Sequence, residues 1–161
     1  MSKKVIPDHF KPIISMTGYS KSLEPFYLSY RDNKLVMGIL IGEHHLNNMG
    51  TAHGGLYMTF MDMALSTEVC CSLNSFAGIS TIGFTMDFMA SAEPGDFIWA
   101  DTQVLKTTRT LAFTQGVVRC GDDVLSRVNA TFKLPNTLRE ADGKPADFFY
   151  EWATGLPVPQ D

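Results

Sequence analysis

Apolar residues fall along the chain in two patterns. In 81–88, Ile82, Phe84, Met86 and Phe88 alternate with Thr81, Gly83, Thr85 and Asp87. That period of two predicts a strand with one buried face. The segments 26–31, 35–41, 97–106, 111–119 and 124–134 also read as strands, separated by turn-rich stretches such as Asp32-Asn33-Lys34, Pro94-Gly95-Asp96 and Gly121-Asp122. Between the second and third strands lies a different stretch, 56–73, without proline or glycine. Met, Leu, Ala and Phe dominate its first half and predict a helix. Its apolar residues cover nearly the whole circumference, so most of its sides are expected to be buried. Residues 9–15, broken by Pro12, read as a short helix or a loop, and 147–153 as a short helix in a loop-rich tail.

The predicted order is two strands, one long helix and four strands. The economical packing is an α+β fold in which a five- or six-stranded antiparallel sheet wraps the helix. A helix apolar on most sides also needs cover on its remaining face, and a second copy of the chain supplies it. The chain has 161 residues, 45% apolar and 19% charged, which suits one globular domain over 1–161. A net charge of −4 argues against a polyanion-binding domain and so against nucleic acid. Cys70, Cys71 and Cys120 form no CxxC pair, which suits a reducing compartment. The first residues meet charge and Pro7 before any apolar run, and the uncharged stretch 69–86 is broken by Asn74, serines, threonines and glycines. Neither reads as a secretory signal or a membrane span, so the expectation is a cytoplasmic protein.

Asp62 is the informative residue, a mid-helix carboxylate flanked by Met61 and Met63. An unpaired carboxylate among apolar groups is costly. One reading is a general base or nucleophile, the other a partly exposed Asp on the one solvated edge of the helix. His53-Gly54-Gly55 opens the same helix. Unpaired amides at a helix N-terminus favour negative charge, and glycine lets a ligand approach the backbone, as an oxyanion hole requires. Taken alone, the motif is better read as a loop-to-helix junction that needs positive φ. Gly54 and Asp62 are eight residues apart, a helical rise of about 12 Å. One protomer's Gly54 and its own Asp62 therefore cannot both reach one carbonyl carbon. If both act, the site is shared across a two-fold dimer.

The segment from Asn47 to Gly55 (Asn-Asn-Met-Gly-Thr-Ala-His-Gly-Gly), followed by Asp62-Met63-Ala64, resembles the hotdog-fold thioesterases of the PaaI-like group, with similarity over about 35–135. The resemblance implies hydrolysis of an acyl-CoA, or acyl carrier protein, thioester by a homodimer, which can pair into a tetramer. It assigns carbonyl polarisation to the Gly54 amide and activation of water, or direct attack, to Asp62. It assigns positioning of water or substrate to Asn47, and gives His53 and Gly55 places beside the carbonyl. An assisting hydroxyl falls on Thr81, or on Ser80 after a one-residue shift. No metal or cofactor is implied, and the spacing of His44, His45 and His53 fits no ligand motif. Lys106, Arg109, Arg127 and Lys133 are candidates for the coenzyme's phosphates or are solvated strand ends. The rival reading is a non-catalytic acyl-CoA-binding module.

Overall fold

The computed structural model describes residues 5–32, 34–76, 78–138 and 142–159. Its elements are β1 (Lys11–Pro12), α1 (Gly18–Lys21), β2 (Phe26–Arg31), β3 (Lys34–Leu40), α2 (Gly54–Ser72), β4 (Ser80–Phe88), β5 (Phe97–Thr107), β6 (Leu111–Cys120), β7 (Asp123–Lys133) and α3 (Pro145–Thr154). All strands join one antiparallel sheet in the order β1-β2-β3-β5-β6-β7-β4. The α+β architecture is the expected one, with all six predicted strands. The sheet has seven strands instead of five or six, because 9–15 contributes the two-residue β1 at the edge of β2 and not a helix or loop. A strand that short carries no periodicity. Asn33 of the predicted β2–β3 turn lies outside the described residues.

After Gly54 and Gly55, α2 runs through a stretch without glycine or proline and ends where its geometry demands. Asn74 takes φ 47°. Ser75 N–H then reaches Cys70 O at 3.1 Å, and Asn74 N–H reaches Cys71 O at 3.2 Å. This is a Schellman closure, with Asn in the left-handed position usually given to glycine. Leu56, Tyr57, Phe60, Met61, Leu65 and Val69 are buried against the sheet. Each such side chain contributes about 1.5–3 kcal/mol. The 19-residue helix therefore holds the strands around it far more firmly than its own propensity would. No helix among the described residues is long and apolar enough to cross a membrane.

The sheet bends through irregularities in β4–β7, β5–β6 and β6–β7. The one in β4 matters most. Thr81 stands opposite Phe132 and Gly83 opposite Thr131, so Ile82 is an extra residue without a cross-strand partner. Directly opposed residues share a face. Thr81, Phe84 and Met86, opposite Phe132, Ala130 and Val128, therefore all point to the helix side. This corrects the simple alternation read from the sequence, which put Thr81 on the outer face and Ile82 on the inner one. The bulge shifts the phase by one residue and leaves Ile82 57% exposed. β4 pairs only with β7, and its other edge has no strand among the described residues.

Side chains of α2 pack directly onto Gly116 of β6. A Cβ built on Gly116 would stand 2.8 Å from Asp101 O and 2.8 Å from Met61 Cε. The methionine can yield, but the backbone oxygen of the neighbouring strand cannot. Gly116→Ala is expected to lower unfolding free energy by about 1–3 kcal/mol in a urea titration, whereas Gly121→Asn, at a turn with φ 59° and open space, should change it little.

Candidate active site

The N-terminus of α2 is held from three directions. His53 N–H donates to His45 O at 2.8 Å, and Ala52 N–H donates to Ala92 O at 2.9 Å. Ala92 N–H in turn donates to the Tyr57 hydroxyl at 3.0 Å. His45 is 2% exposed. Its Nδ1 accepts from Gly42 N–H at 3.0 Å, and its Nε2 lies 2.9 Å from Leu23 O. Both ring nitrogens are thus engaged in the neutral form, and burial pushes its pKa down. The His44 ring lies against it, tilted by 48° with centroids 3.8 Å apart, and its Nε2 lies 2.7 Å from Glu24 O. These two histidines tie the 42–53 loop to the chain ahead of β2. No metal-holding cluster is found among the described residues.

His53 is the N-cap of α2. Its Nδ1 accepts from Gly55 N–H at 2.9 Å, which places the proton of the neutral ring on Nε2. The bond occupies the Gly55 amide. Leu56 N–H donates to His53 O at 2.9 Å. Among the described residues, the Gly54 amide has no partner, and it sits at the positive end of the 19-residue helix. The Gly54 Cα abuts the edge of Phe88, where an added Cβ would lie 3.2 Å from the ring. Of the two glycines expected near a carbonyl, only Gly54 offers its N–H.

Asp62 is half-buried in the protomer. Thr81 Oγ1 donates to Asp62 Oδ1 at 2.6 Å. Of the two hydroxyl residues considered, Thr81 makes this bond, and it can do so because the Ile82 bulge turns it toward α2. Asp62 therefore has a charge-assisted partner and an outward face, and is not sealed among methionines. On the same strip, Thr59 Oγ1 is turned back to Gly55 O at 3.1 Å.

Asn47 makes its side-chain hydrogen bonds within its own loop. Its Oδ1 accepts from Met49 N–H at 2.8 Å and Thr51 N–H at 3.3 Å, and its Nδ2 donates to Thr51 Oγ1 at 3.0 Å. It shapes the loop ahead of the helix, and one amide hydrogen remains for a ligand. Asx-turn bonding of this kind is readable in Asn-x-x-Gly, which the motif reading passed over. Burial raises the Cys70 thiol and pushes Cys71 up to about 12, so neither is a thiolate near neutral pH. Arg127, a phosphate candidate, is paired with Asp87 at 2.7 Å. Lys133 pairs in register with Ser80, beside Thr81, and Lys106 and Arg109 end the adjoining β5–β6 hairpin. Positive charge therefore fringes the Thr81 end of the sheet.

A family model described as the thioesterase superfamily matches residues 49–126, a span that includes Gly54, Asp62 and Thr81. A Pseudomonas aeruginosa protein provisionally named an esterase is 30% identical over 131 residues, covering 81% of this chain and 98% of the relative. The chain belongs to the thioesterase superfamily. Mouse acyl-coenzyme A thioesterase 13 is 31% identical over 104 residues, covering 64% of this chain and 74% of the relative. The structure of zebra fish thioesterase superfamily member 2 superposes with a TM-score of 0.65 at 25% identity, covering 74% of this chain and 88% of that one. The hotdog fold and the thioester hydrolase class read from the motif are thereby borne out.

The geometry makes the Thr81 hydroxyl a positioning group for Asp62. Thr81→Val is expected to lower kcat for thioester hydrolysis about tenfold, the scale of one charge-assisted hydrogen bond. Thr81→Ser should retain most of it. Equal kcat for wild type and Thr81→Val would remove the hydroxyl from the site.

Proposed function

We propose that this superfamily member hydrolyses acyl-CoA thioesters in a homodimer with two shared sites. One observation carries the reading. The unpaired Gly54 amide and the Thr81-held Asp62 belong to the same helix, yet lie eight residues and about 12 Å apart. Two α2 helices packed antiparallel about a two-fold axis bring each amide to the other's carboxylate. The unpaired edge of β4 supports this arrangement, as do the exposed Ile82, Phe88, Met89 and Met58 beside it. A nine-residue strand with one open edge bordered by apolar side chains is a surface that a second copy would cover.

In such a site the Gly54 N–H donates to the thioester carbonyl oxygen, with the helix dipole behind it. Asp62 of the other protomer takes a proton from water, and the resulting hydroxide attacks the carbonyl carbon. The tetrahedral oxyanion gains most from Gly54, because its charge forms only there. Collapse breaks the C–S bond, and the leaving thiolate takes the proton from Asp62. The products are a free acid and a thiol, and the carboxylate is regenerated. His53 holds the amide geometry and uses its Nδ1 for capping, so it orients the site without accepting the proton. The basic fringe of Lys106, Arg109 and Lys133 suits a phosphate-bearing carrier such as coenzyme A.

Asp62→Asn is expected to reduce kcat for thiol release at least about 100-fold, the general-base scale, with the dimer retained on a sizing column. Saturable acyl-CoA binding without thiol release, across short, long and aromatic acyl groups, would favour a binding module instead. Mixing inactive Asp62→Asn with inactive Gly54→Val should restore part of the activity as subunits exchange, since each mixed dimer holds one intact pair. No recovery despite demonstrated exchange would overturn the shared site.

A further inference from the structure

The matched family region begins at residue 49 and ends at 126, so α3 and the segment ahead of β2 lie outside it. In this chain the two meet over the outer flank of α2. Ile14 N–H donates to Ala153 O at 2.8 Å, the Tyr30 hydroxyl donates to the Asp147 carboxylate at 2.5 Å, and Tyr150 is buried between them. Beneath this roof is a cavity of about 190 Å³, lined by Ile13, Met16, Met63, Phe149, Trp152 and Ala153, with Met37 of β3 at its side. The polar groups in its wall are turned away. Ser66 Oγ and Thr67 Oγ1 both donate to Met63 O, each at 2.9 Å. The cavity therefore presents hydrocarbon and sulfur to an occupant. Trp152 is 55% exposed although it is a large apolar side chain.

The position of this cavity relative to Asp62 decides its use. Met63 adjoins Asp62 in sequence, and Ser66, four residues on, lies on the same helix face one turn away, a rise of about 6 Å. We propose that the cavity under α3 is the acyl-chain subsite of this protein, and that it selects unsubstituted aliphatic chains long enough to pass the first turn beyond Asp62. The assignment rests on the thioesterase reading above. Three methionines give walls that adapt to a flexible chain. Among the described residues no charged side chain lines the cavity, and its hydroxyls are already bonded, so a hydroxylated or dicarboxylic chain would leave a polar group unpaired there. An acetyl group is too short to reach it.

The test uses the full chain and a series of straight-chain acyl-CoAs. From the chain that first enters the cavity, kcat/KM should rise about three- to fourfold per methylene until the cavity is filled. A hydroxylated chain of equal length should lose that gain. Met63→Trp should lower the long-to-short ratio of kcat/KM at least about tenfold, and Trp152→Ala, at an exposed position that leaves folding undisturbed, about threefold. A second readout is independent of turnover. In a Trp99→Phe background, a free fatty acid should change Trp152 fluorescence saturably, and Met63→Phe, which adds bulk without a second reporter, should weaken that titration. A flat chain-length series, or ratios unchanged in both variants, would overturn the subsite. Absence of turnover together with a saturable titration would sink the hydrolase reading while leaving the cavity a fatty-chain site, so the two failures are separable.

Discussion

A helix that is apolar on nearly every side has to be surrounded, and the burial of α2 organises the rest of the molecule. The long strands bend around it, and Gly116 removes the side chain that would hold it off the sheet. What the sheet leaves uncovered is one strip, in which Gly55, Thr59, Asp62 and Ser66 follow at helical spacing, all partly exposed. Both chemical features, the unpaired amide and the carboxylate, border this strip. Core and site are therefore not separate designs. The packing that stabilises the fold also determines which few helical positions remain reachable.

Rigidity is concentrated at the N-terminus of α2. An amide stabilises a developing oxyanion only if it is already aimed, since reorganisation during the reaction would cancel its advantage. In the proposed site the aim would be set by His53 as cap, by the His45 carbonyl, by the Ala52 and Ala92 bonds, and by the Asn47 turn ahead of them. The histidines that invite a catalytic or metal reading are largely structural. Each of His44 and His45 has a backbone carbonyl within hydrogen-bond distance of its Nε2, and His45 is held neutral in the interior.

Much of this was legible in the residues. Six strands follow from apolar alternation and turn residues, the long helix follows from a run rich in helix formers without proline or glycine, and Asp62 stood out because a carboxylate between two methionines needs a reason. The Gly54–Asp62 spacing already argued for two subunits. Other features carried no local signal. β1 is two residues long, and the role of α3 as the roof over Met63 depends on contacts with β2 and with Ile14, far away in sequence. The motif drew attention to Asn47 as a group near the ligand, and the structure adds the bonds by which it also shapes its own loop.

By itself the sequence determined the element types, the helix that must be buried and the identity of the chemical groups, because these depend on side-chain polarity and on periods of 3.6 and 2 within one segment. Only the tertiary structure decided which side of the sheet Thr81 faces. Strict alternation puts it outside. The unpaired Ile82 moves it inside, within 2.6 Å of Asp62. A bulge is a relation between two strands, here between β4 and β7, which are separated by residues 89–122. Its one-residue shift reverses the faces on one side of it, and no pattern within β4 alone encodes that shift.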